Sequence, residues 1–150
     1  MLAPNMRSAE KRPASKRTNV NEFSVQTVID ALSPHVCILN KAGDILLVNQ
    51  AWRNFYDTNS VPSIINDYFI GTNYFQLCRQ SEGFDSDGAE HLVEAVLQVI
   101  RGELNEFSLQ YRCHNPIQKR WVNVRVTRFK NDSEHIMLCH ENITEFKLTE

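Results

Sequence analysis

Glu134-His135-Ile136-Met137-Leu138-Cys139-His140-Glu141 runs without a break into Asn142-Ile143-Thr144-Glu145, and the reading of this junction decides the fold. Ile136, Leu138 and His140 fall in one phase and His135, Met137 and Cys139 in the other, the period of two expected of a β-strand. The polar string that follows reads as a turn opening a helix. Two more strands are expected upstream. Phe107, Leu109, Tyr111 and Cys113 alternate with Ser108, Gln110, Arg112 and His114, and Val122, Val124 and Val126 alternate with Trp121, Asn123, Arg125 and Thr127. Asn115-Pro116 and Asn131-Asp132-Ser133 separate the three runs. A uniformly aliphatic face opposite a mixed one describes a sheet that covers a core on one side.

Working outward, Leu92, Val93, Ala95, Val96, Val99 and Ile100 form a broad apolar stripe, so a long helix precedes these strands and Gly102 stops it. Asp87 and Glu90 are expected to cap it. Nearer the start, Phe23, Val25, Val28, Ile29 and Leu32 fit a short amphipathic helix with Asn21 as cap and Ser33-Pro34 as stop. Val36 to Leu39, a Lys41-Ala42-Gly43-Asp44 turn and Ile45 to Val48 read as a β-hairpin. Asn49 can cap a helix carrying Ala51, Trp52, Phe55 and Tyr56. Residues 57 to 73 have no steady period and predict one or two short helical turns, and Tyr74 to Gln80 reads as helix. The order is helix, two strands, several helices, three strands: an α+β domain with a five-stranded antiparallel sheet and helices packed on one face.

At 150 residues the chain is long enough to bury a core without staples. Apolar content of 42%, charged content of 23% and a net charge of −2 are those of an ordinary globular protein and give no bulk attraction to nucleic acid or membrane. Residues 1–21 differ: Arg7, Lys11, Arg12, Lys16 and Arg17 stand against Glu10, with two prolines and few apolar side chains, which reads as a disordered basic tail. The tail lacks the apolar stretch of a secretory signal, and no run approaches the ~20 apolar residues of a membrane span. A cytoplasmic location is expected, a mitochondrial transit peptide being the targeting alternative. Basic residues without interleaved aromatics predict a solvated leader rather than a nucleic-acid arm. Cys37, Cys78, Cys113 and Cys139 read as free thiols.

The element order resembles the PAS domain, a sensory module of bacterial signalling proteins. Val48-Asn49-Gln50-Ala51-Trp52-Arg53 resembles the family's strand-to-helix junction, and Gly71-Thr72-Asn73-Tyr74 the start of its following helix. Tyr111-Arg112-Cys113-His114-Asn115-Pro116 before Arg120-Trp121 is similar to a subclass found in sensor histidine kinases and diguanylate cyclases. Asn142-Ile143-Thr144-Glu145 resembles the Asp-Ile-Thr ending that joins the core to an output helix. The likeness covers residues 22–147, with 22–144 as the sensory domain and 145–150 as the start of the output linker. Asn142 replaces the family's aspartate and removes the charged part of that coupling. The Gly71 string is also similar to the flavin-binding LOV subclass, whose adduct-forming cysteine is replaced here by Tyr74. Cys78 lies one helical turn on, so a flavin photoadduct is not expected.

The resemblance implies a ligand site between the sheet and the central helices, lined by Leu39, Trp52, Tyr111, Cys113, Val122, Val124, Leu138 and His140. His140 admits two readings. It could hold a ligand carboxylate or carbonyl and titrate near neutrality, or it could be a core histidine satisfied by a backbone or tyrosine partner. His91 stands beside Glu90 and Glu94, off the apolar stripe, so haem is not expected. Cys113-His114 and Cys139-His140 are neighbours on strands and point to opposite faces, which excludes either pair as a zinc site. No nucleophile elbow or phosphate-cradling loop is present, and no enzyme activity is expected. Phe23, Val28, Ile29, Trp121 and Asn123 are assigned to an outer face that either packs on its own sheet or forms a homodimer. Asn142, Ile143, Thr144 and Glu145 are the expected relay to an output domain, a histidine kinase or diguanylate cyclase in cis or in trans. A cofactor-free dimerisation module and a small enzyme using His140 as general base remain the alternatives.

Overall fold

The computed structural model describes residues 23–58, 66–80, 86–112 and 120–149. The basic tail, the Asn21 cap, Cys113, His114 and the Asn115-Pro116 break lie outside them. Five strands form one antiparallel sheet: β1 (His35–Asn40), β2 (Ile45–Val48), β3 (Glu106–Arg112), β4 (Trp121–Arg128) and β5 (His135–Asn142). Their spatial order is β2-β1-β5-β4-β3, so the first hairpin pairs directly with the last strand. Helices α1 (Val25–Asp30), α2 (Gln50–Thr58), α3 (Tyr74–Gln80), α4 (Ser86–Ile100) and α5 (Thr144–Leu148) complete the fold, with a tight turn over Asn66–Phe69. The α+β reading with a five-stranded antiparallel sheet holds.

The phases of the strands emerge as the alternation requires. Cys37, Leu39, Val124, Val126, Ile136 and Leu138 are buried on the inner face against Leu92, Val96 and Val99 of α4. Val36 and Ile38 point the other way and meet Ile29 of α1, with Leu47, Phe129, Met137 and Cys139 packed around them. Burial on both faces gives β1 its nearly continuous apolar run.

Asn49, wholly buried, joins the two layers. Its Oδ1 accepts from the N–H groups of Val36 at 2.9 Å and Trp52 at 3.1 Å, the second contact capping α2 as expected. Its Nδ2 donates to the carbonyls of Ile29, Leu32 and Pro34, which fasten the end of α1 to the sheet. Gly43, at φ 87°, turns the hairpin where a Cβ would lie 2.5 Å from the Phe75 ring.

Two expectations at the helix ends are corrected. The cap of α1 is Ser24, whose Oγ accepts from the Thr27 N–H at 3.2 Å. Glu90 does not fold back to cap α4; it pairs with Arg79 of α3 at 2.8 Å, because it already lies one turn inside a helix that starts at Ser86. The apolar stripe of α1 is not buried as a unit. Ile29 is 3% exposed, whereas Phe23 is 73% and Val28 54% exposed, since a six-residue helix lays only one side chain onto the sheet.

Candidate functional site

At the end of the sheet where β1 begins and β5 finishes, His35 and His140 stand opposite each other in the ladder. Beneath them α2, the Asn66–Phe69 turn and α3 leave a cavity of about 370 Å³. Trp52, Phe55, Tyr56, Phe69 and Tyr74 give it an aromatic wall, completed by Leu77, Cys78 and Gln80 and by the two imidazoles. Positions 52, 55 and 56 share a face of α2 through the three- and four-residue spacing of a helix. Their rings interlock: Trp52 and Tyr56 lie 5.6 Å apart between centroids, Phe55 and Tyr56 5.2 Å, and Tyr56 and Phe69 5.0 Å.

Phe69 reaches this wall through an unusual backbone. Asp67, Tyr68 and Phe69 take φ values of 57°, 57° and 77°, the left-handed region that costs a non-glycine residue roughly 1–2 kcal/mol. Side chains of α2 hold the turn in place: Trp52 Nε1 donates to the Tyr68 carbonyl at 3.1 Å, and the Tyr68 hydroxyl donates to Asp57 at 2.9 Å. Gly71 N–H then donates to the Ile45 carbonyl at 2.8 Å, and Asn73 caps α3 through the Phe75 N–H.

His140 Nε2 and the Tyr74 hydroxyl are 2.9 Å apart. The tyrosine-partnered reading of His140 therefore describes one of its nitrogens, while the other, Nδ1, is sealed from water with no hydrogen-bond partner among the described residues. Burial, and then the facing His35, lower the His140 pKa to about 4, and the His35 main chain pulls more weakly the other way. The imidazole is thus neutral at pH 7, in contrast to the reading in which it titrates near neutrality. His35 is shifted downward too, by burial. Tyr74 rises well above the usual phenol range for the same reason.

Of the eight residues assigned to a ligand wall, the structure brings Trp52 and His140 to the cavity. Leu39, Val124 and Leu138 are sealed beneath α4, and Tyr111 and Val122 pack beside them; Cys113 lies outside the described residues. The inward phase was read correctly, but these side chains are packed into the core, and the described cavity lies at the end of the sheet beside His35 and His140. Tyr74, Tyr56 and Phe69 were missed as wall residues, although the spacing of Trp52, Phe55 and Tyr56 pointed to one shared face. Cys139 faces outward and His140 inward, so they present no common ligand site. His91 is exposed, its ring 5.7 Å from that of Phe107.

The relay residues form one joint. Asn142 Oδ1 accepts from the Thr144 N–H at 3.0 Å and from the Thr144 hydroxyl at 2.6 Å. The Thr144 hydroxyl oxygen in turn accepts from the Trp121 N–H, and the Trp121 carbonyl from the Ile143 N–H at 2.9 Å. The first turn of α5 is therefore tied to β4 as well as to β5. Trp121 and Asn123 are half-buried, and Asn123 accepts from Ser108 at 3.0 Å.

The architecture has close counterparts among solved structures. The PAS domain of Bordetella pertussis BvgS superposes with a TM-score of 0.58 at 18% identity, over 87% of this chain and 93% of that one. A PAS domain from Colwellia psychrerythraea gives 0.55 at 12% identity, over 79% and 93% of the two chains. This chain has the PAS fold. The PAS domain of the Cronobacter turicensis quorum-sensing receptor RpfR, solved with C12:0, matches at 0.50 and 15% identity over 75% and 95%. No family model matches the sequence. An uncharacterized 104.1 kDa protein in the hypE 3′ region of Rhodobacter capsulatus is 35% identical over 123 residues, which are 81% of this chain but 13% of that protein. Among the described residues no helix is long and apolar enough to cross a membrane.

Proposed function

We propose that this PAS domain is a sensor: a small molecule enters the aromatic cavity, shifts β5, and α5 passes the shift to an output domain in cis or in trans. One observation carries the reading. His140 lines the cavity two residues before Asn142, whose side chain holds the first turn of α5, so the cavity wall and the exit helix share a strand. The PAS folds of sensor kinases and receptors support the same role. The size of any shift is bounded by the ligand's differential affinity for the two arrangements. A histidine kinase or diguanylate cyclase is the kind of output proposed, and no chemistry is assigned to the domain itself.

A second reading, homodimerisation, is favoured by the outer face. Val25, Ile38, Leu46, Leu47 and Phe129 line an apolar groove there, beside the exposed Val28. The two readings are compatible.

Leu77→Trp tests the relay by filling the cavity without a ligand. Amide exchange at 144–149 is expected to change several-fold while β3 and β4 keep their protection and circular dichroism shows the fold intact. Unaltered exchange in α5, with the cavity filled, would remove the relay.

A further inference from the structure

Resting on the sensor reading, we propose that the cavity takes an uncharged ligand built on a flat aromatic ring, which lies against the wall of Trp52, Tyr56 and Phe69 and turns one polar group toward the His140–Tyr74 pair. The wall carries the first half of this assignment. Its rings meet one another at tilted and edge-to-face angles of 51°, 66° and 87°, a packed aromatic surface along one side of the space. Aromatic pairs prefer offset or edge contacts at these separations, and a ring ligand gains them where a flexible chain gains burial alone. A volume of about 370 Å³ is near the lower end of the range for small-molecule sites, which suits a single fused ring system.

Charge carries the second half. Among the described residues lining the cavity none is Asp, Glu, Lys or Arg. The imidazoles are neutral at pH 7, as burial requires. Arg120 does not line the cavity; its guanidinium lies 5.8 Å from the Phe55 ring centre. An anion entering here loses hydration and finds no opposite charge among the described lining residues, a cost that favours neutral molecules over carboxylates. The His140–Tyr74 pair, both members of which line the cavity, sets the remaining preference: a ligand hydroxyl, amide or ring N–H has a hydrogen-bonding partner there.

Calorimetric titration of the whole chain at pH 7.5 tests the assignment with three probes: indole, indole-3-carboxylate and dodecanoate. Indole is expected to bind at least tenfold more tightly than either carboxylate. Tyr56→Leu, which keeps apolar volume and removes a ring, is expected to weaken indole at least tenfold while thermal melting stays close to that of the parent chain. A carboxylate that binds as well as indole overturns the ligand class and leaves the sensor reading standing. Failure of all three probes at millimolar concentration overturns the class. If native mass spectrometry of the purified chain also shows bare polypeptide and Leu77→Trp leaves α5 unchanged, the sensor reading falls with it.

Discussion

On the inner face of the sheet Leu39, Val124, Val126 and Leu138 are withdrawn from water in a core that includes the fifteen-residue α4, whereas on the outer face the six residues of α1 sink Ile29 and leave Val25 and Val28, with Phe23 just ahead of them, in solvent. Both faces of β1 alternate equally well, so the difference does not come from the strands. It comes from the length of the covering helix. A fifteen-residue helix delivers a stripe, and one and a half turns deliver a point. The inner face holds both a sealed core and, at the end of the sheet beside His35 and His140, a cavity; the outer face offers an apolar surface.

The comparison would break first at Leu138. Leu138→Ala is expected to cost about 3–5 kcal/mol in urea unfolding, the range for a buried leucine whose surroundings cannot collapse. A loss below about 1 kcal/mol would show that the inner face is loosely packed.

Acid probes the rim of the same face. The unfolded chain protonates His140 near 6.5 and the folded chain only near 4, so the contribution of the neutral imidazole is complete above pH 6.5 and is lost as pH falls from there to about 4. The loss is about 3 kcal/mol across that window, with nothing further from this group below it. In His140→Phe the fall in stability between pH 6.5 and 4 should shrink by that amount; an unchanged pH profile would place the proton elsewhere.

The smallest effect belongs to the outer face. Val28→Ser should alter the stability of dilute protein by no more than about 0.5 kcal/mol, as for a surface position. A larger loss that grows with protein concentration would show that α1 is covered by a second chain, and would sharpen the contrast into one between an intramolecular and an intermolecular core.

Much of this was legible in the residues. The three closing strands, the Gly43 hairpin and the stripe of α4 are periodic patterns, and periodicity reports which way a side chain points. It does not report what stands opposite. That is why Val124 and Leu138 were read as inward without the packing that buries them away from the cavity, while Tyr56 and Phe69, brought together by a left-handed turn in a stretch without period, went unseen. Asn49 was recognised as a cap from its place before a helix. Its grip on Ile29, Leu32 and Pro34 depends on a tertiary approach that no local pattern encodes. The His140–Tyr74 pair is of the same kind: the histidine's need for a partner could be stated in advance, the identity of the partner only in three dimensions.

The strand order has a consequence for how the protein is made. Because β1 is flanked by β2 on one side and β5 on the other, the hairpin that leaves the ribosome early must wait, half-paired, until nearly the whole domain has been synthesised. Closing so long a loop before any ladder reward arrives slows folding. In the meantime the apolar edge of β1, with Val36 to Leu39 unclaimed, is the segment most open to a wrong partner or a chaperone.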